Sequence, residues 1–89
     1  MSTEYARMQV RLSNIVDTVG QRLPEMSLTG AAEFPALLFA YEQAKATTQA
    51  LRYATFAQRG EYQRYGEEKL LALATAYDAY KDRTTTTGD

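Results

Sequence analysis

The sequence predicts an all-α protein, and three observations carry that prediction. Apolar residues recur at alternating spacings of three and four, the period of a helix face and not of a strand. Alanine, leucine, glutamine and glutamate are plentiful, and only two prolines occur in 89 residues, a composition that suits helices. Turn-forming residues gather at two places, Pro24 to Glu33 and around Gly60. The chain therefore divides into three helices, expected at about 3–22, 34–59 and 61–83, with antiparallel neighbours. The expected architecture is a three-helix bundle or a helical hairpin with a third helix. One domain spans 1–83, and 84–89, TTTTGD, has no apolar content and is expected to fray as a flexible tail.

In the first helix, Ser2 or Thr3 can cap the start, with Glu4 near the positive end of the dipole. Tyr5, Met8, Leu12, Ile15 and Val19 follow at a 3-4-3-4 spacing, and Val16 and Leu23 broaden the stripe. Two heptads are too few to argue for an intermolecular coiled coil, so the stripe reads as packing within the chain. The helix ends at Gly20 or runs to Leu23 and stops before Pro24. Met26 and Leu28 then fall in the connecting loop, where they are expected to tuck over the end of the bundle.

The second helix is the element around which the others are expected to pack. Phe34, Leu37, Tyr41, Ala44, Thr48, Leu51 and Thr55 repeat at 3-4 spacing, with Leu38 and Phe56 widening the stripe. A second flank carries Phe39, Ala46, Ala50, Ala54 and Ala57, where alanine lets another backbone approach closely. Only Glu42, Lys45, Gln49 and Arg52 mark a polar sector, so the helix is expected to bury two faces. Pro35 suits its first turn, where a missing N–H costs nothing. Gly60 is read as the turn to the third helix, near Arg59 to Glu61. The other reading makes it a weakened stretch of one long helix, since each mid-helix glycine costs about 1 kcal/mol relative to alanine. The third helix tolerates Gly66 and presents Leu70, Leu73, Tyr77 and Tyr80, with Leu71 and Ala74 alongside.

Composition excludes several functions. With no cysteine or histidine, the chain lacks thiolate chemistry, the usual general base near neutral pH and the commonest transition-metal ligand. Net charge is −1, so no global field draws in nucleic acid or an anionic membrane. No phosphate-binding loop, dinucleotide fingerprint or nucleophile elbow occurs, and Glu67 and Glu68, being adjacent, point about 100° apart on a helix. No enzyme activity, cofactor or metal is expected. No run is apolar enough to span a bilayer, and MSTEYARMQVR has no basic region followed by an apolar one. A cytoplasmic location is the default expectation, with no membrane partner.

One cluster invites a functional reading: Arg52, Tyr53, Arg59, Tyr62, Arg64 and Tyr65. Tyrosine and arginine dominate protein–protein hot spots, and seven tyrosines in 89 residues exceed what a three-helix core readily uses. This corner is expected to dock another protein or copies of the chain itself, making the protein a homo-oligomer or a non-catalytic interaction module. By analogy of size and class, a small helical subunit of a viral-particle, secretion or ribonucleoprotein assembly fits. Interleaved basic and aromatic side chains can also neutralise phosphates and stack bases, so a small nucleic-acid-binding protein is the first alternative. Glu61, Glu67 and Glu68 dilute the positive charge and weigh against it. An inhibitor that occludes a partner's site is the second alternative.

Overall fold

The computed structural model describes the backbone of residues 2–87 and the side chains of residues 3–82. It is all-α, with helices α1 (Ser2–Ser27), α2 (Phe34–Arg52) and α3 (Arg59–Thr87). A single 3-10 turn, Phe56–Gln58, precedes α3. Each helix packs against the other two, giving a three-helix bundle about 49 Å long and under 20 Å across. Tyr5 meets the C-terminus of α2, while Thr29, just after α1, meets Tyr80 near the far end of α3. Sequential helices therefore run antiparallel.

The expected stripes of α1 and α3 form the core. Tyr5, Met8, Leu12, Val16 and Val19 are buried from α1, and Leu73, Tyr77 and Tyr80 from α3. Ile15, Leu23 and Leu70 pack at the edge, whereas Leu71 is exposed. From α2 the buried set is Leu37, Ala44, Thr47 and Leu51. Thr47 lies beside the predicted stripe, and its hydroxyl donates to the Gln43 carbonyl at 2.8 Å, so its burial leaves no unmet donor.

Helix limits differ from expectation at three places. First, α1 passes through Gly20 and Pro24 and ends at Ser27. The extra turn buries Met26 almost completely, which offsets the ladder bond that Pro24 cannot donate. Ser27 Oγ donates to the Pro24 carbonyl at 2.9 Å and tightens that last turn. Met26 thus closes the bundle end from within a helix, but Leu28 points to solvent at 86% exposure. Gly20 serves packing, not termination. A Cβ there would sit 2.9 Å from the Tyr41 hydroxyl of α2.

Second, α2 stops at Arg52, seven residues before the expected end, and the turn occupies Tyr53 to Gln58 instead of Arg59 to Glu61. Thr55 has an extended backbone (φ −71°, ψ 163°) and forms a capping box with Gln58. Its N–H donates to Gln58 Oε1 at 3.0 Å, so the chain restarts as a helix there. Phe56 consequently does not widen the core stripe; it is 85% exposed. Gly60 lies inside the first turn of α3 with no neighbour within 4 Å of where a Cβ would be. Gly66 is the close-approach position: a Cβ there would strike Met8 Sδ and come within 3.4 Å of Leu51 Cδ1.

Third, α3 continues to Thr87, beyond the expected end at 83, and positions 88 and 89 of the expected tail lie outside the described residues. Ser2 and Thr3, the expected caps, are already inside α1, so the position before the helix also lies outside them.

The alanine flank of α2 is not a second buried face. Phe39, Ala46, Ala50 and Ala57 are exposed, because α1 and α3 both settle on the single arc that carries Leu37, Ala44 and Leu51. No helix among the described residues is long and apolar enough to cross a membrane.

Candidate functional site

The six candidate residues surround the α2–α3 turn, and the break in the helix distributes them over its two sides. α2 ends with Arg52, and Tyr53 follows as its C-cap, with its N–H bonded to the Ala50 carbonyl at 3.2 Å. That backbone position lifts the Tyr53 ring off the bundle, leaving it 84% exposed. Tyr62, Arg64 and Tyr65 lie in the first turns of α3. Together with Ala50, Glu61 and Glu68 they line an open groove of about 510 Å³ between α2 and α3. Arg52 faces the other side, beside a smaller groove bordered by Ala6, Val10 and Ser13 of α1.

Arg59 is exposed, but it also ties two elements of the fold together. Its guanidinium carbon sits 5.3 Å from the Tyr5 ring centre and 5.9 Å from that of Phe56, clamped between the N-terminus of α1 and the 3-10 turn by cation–π attraction. Tyr5 in turn donates its hydroxyl to the Leu51 carbonyl at 2.7 Å. That carbonyl has no ladder partner because the helix stops one residue later. Burial raises the Tyr5 pKa above its ordinary value, and the positive charge of Arg59 opposes the shift.

Tyr62 is half-buried against the core, so its ring supports the groove wall. Tyr65 is 46% exposed, with Lys69 Nζ 5.0 Å from its ring centre. The groove is apolar along its aromatic wall and mixed in charge at its rim, where Glu61 and Glu68 stand with Arg64.

The structure thus brings Tyr62, Arg64 and Tyr65 together, leaves Tyr53 projecting from the turn, turns Arg52 towards α1 and lays exposed Arg59 over the rings of Tyr5 and Phe56. Sequence reasoning missed Ala50, Glu61 and Glu68 as groove residues. Ala50 belongs to the alanine flank, whose small side chains point in the sequence to a buried helix contact. Among the described residues no group of three or more acidic side chains lies close enough to hold a metal ion. No family model, no curated protein and no solved structure matches the chain, so the corner is read on its own chemistry.

Proposed function

We propose that this protein is a non-catalytic protein-interaction module, a small helical subunit that docks another protein through the α2–α3 corner. One observation carries the reading. Tyr53 and Phe56 stand almost fully exposed in the turn that leads into the helix carrying Tyr62 and Tyr65, whereas Tyr5, Tyr77 and Tyr80 are buried and the exposed Phe39 stands apart on α2. Exposed aromatics clustered at one place are the usual anchors of a protein interface. The acidic and basic groups at the rim supply polar contacts of both signs.

The nucleic-acid alternative is less well supported. Arg59 is held by two rings, and Glu61 and Glu68 would repel a phosphate chain laid along the groove.

The test uses a photo-crosslinking residue placed at Tyr65 in the full chain and, as a control, at exposed Arg11 on α1. The expected result is a discrete protein adduct from position 65 that disappears when Tyr53 and Phe56 are replaced by serine, with helicity unchanged. Equal labelling from both positions, or an adduct indifferent to those replacements, would overturn the reading.

A further inference from the structure

The α2–α3 turn contains neither glycine nor proline between Tyr53 and Gln58. No residue in it has positive φ. Among the backbone angles there, Tyr53 (φ −107°, ψ 7°) lies near the helical region, and Thr55 departs from it through ψ alone. At these two positions the main departure from helix is the ψ of Thr55.

The core residues on its two sides are also in phase. Leu37 and Leu73 lie 36 positions apart, which is about ten turns of a straight α-helix. Projected at about 100° per residue, Ala44, Leu51, Tyr62, Gly66, Tyr77 and Tyr80 all fall within roughly 40° of the line through those two leucines. Two helices joined by a turn have no need of a common phase, since each meets the core independently. Here one uninterrupted helix from Phe34 to Thr87 would present both buried stripes on a single face.

From these two observations we propose that α2 and α3 can join into one helix, with α3 leaving its own chain and filling the α1–α2 groove of a second copy. The reciprocal exchange gives a two-fold dimer that reproduces the contacts of α3 with α1 and α2. The Arg22 to Tyr77 hydrogen bond, the Thr29–Tyr80 contact and the Met8–Gly66 approach all re-form between chains. No new apolar surface is required. What changes is confined to the hinge. Thr55 falls on the shared line and Gln58 within about 60° of it, so the two hinges cross with polar side chains facing each other.

Two local contacts hold the closed form. The Thr55–Gln58 capping box exists only while the helix is broken. The Tyr5 hydroxyl bonds the Leu51 carbonyl, which in a continuous helix would receive the Thr55 N–H. Closing α3 onto its own chain is favoured by its high effective concentration, so the exchanged form is populated when chains fold together at high protein concentration.

This proposal rests on the turn and the phase of the stripes, and it is independent of the docking role assigned to the corner. The experiment refolds the full chain at millimolar concentration, separates the products by size with light scattering, and measures each by small-angle scattering. The expected product is a dimer that persists after dilution and is about 80 Å long, the length of 54 helical residues, against 49 Å for the monomer. Thr55→Pro gives up the capping box, but the φ of −71° at this position suits proline and the ring blocks the continuous helix, so this variant should stay monomeric. Thr55→Ala with Gln58→Ala removes the capping box and should raise the dimer fraction about tenfold. A chain that remains monomeric in all three forms overturns the proposal, as does a dimer of about the monomer's length or one that survives Thr55→Pro. Replacing Tyr53 and Phe56 with serine leaves the exchange unaffected, which separates a failure here from a failure of the docking role.

Discussion

At the first connection, residues 28–33, the chain is tied back to the bundle. Thr29 Oγ1 donates to the Met26 carbonyl at 2.8 Å, lies 3.3 Å from the Tyr80 hydroxyl and accepts the Ala31 N–H at 3.3 Å. Met26 plugs the space beneath, and Gly30 supplies the one positive φ, 67°, which a residue without Cβ adopts at little cost. At the second connection, residues 53–58, the ties are Tyr5 to Leu51, the Thr55–Gln58 box and Arg59 between two rings. Of that turn only the small Ala54 side chain packs at the edge of the core; Tyr53 and Phe56 face outward. One end is sealed by burial, and the other is held by directional contacts that leave aromatic surface free. A bundle this small has little core to spare, so the proposed docking surface lies where its exposure does not drain the core.

Substitutions can test that contrast, starting with the largest expected effect. Met26→Ala should lower unfolding free energy by about 2–5 kcal/mol, while Phe56→Ala at the other end should change it by less than about 0.5 kcal/mol. Urea denaturation of the two variants measures both, and similar losses would erase the distinction. Gly66→Ala forces a methyl into Met8 and Leu51 and is expected to destabilise by roughly 1–3 kcal/mol. Gly60→Ala meets nothing and should stabilise by up to about 1 kcal/mol. Opposite shifts in melting temperature are the prediction.

Tyr5→Phe removes one buried hydrogen bond at the second end and should cost about 1 kcal/mol. Tyr5 also carries a pH signature. Its folded pKa lies above the unfolded value, so the folded state holds the proton more tightly. The resulting stability is fully present below about pH 10 and falls as pH rises through the folded pKa. A stability profile from pH 8 to 12 should therefore decline less in Tyr5→Phe than in the parent.

The contrast between the ends also explains what could be read from the residues. The stripes of α1 and α3 were legible because burial on one face imposes a helical period directly on Tyr5 to Val19 and on Leu70 to Tyr80. The limits of α2 were not, because glycine was read as punctuation. Gly20 and Gly66 sit inside helices to admit Tyr41 and Met8, and Gly60 lies in a helix without any such neighbour. The true break is written as Thr-Phe-Ala-Gln at 55–58, a capping-box pattern hidden inside a run whose periodicity continues across it. Half of the candidate site was legible for a related reason. Tyr62, Arg64 and Tyr65 follow one another along a helix whose start was placed within two residues. Arg52 is separated from them by a turn, and Arg59, though on the same helix, is drawn onto the ring of Tyr5, more than fifty residues away in the chain.

The approach of Gly66 to Met8 bears on how this chain can vary over time. A side chain at position 66 requires the tip of Met8 to swing aside or position 8 to become shorter, and a bulkier residue at 8 fits best while 66 stays bare. The two sites are therefore expected to drift as a pair, whereas exposed Leu28 and Gly60 change freely. In a set of descendant sequences, linked substitutions at 8 and 66 would mark lineages that have kept the seam between α1 and α3.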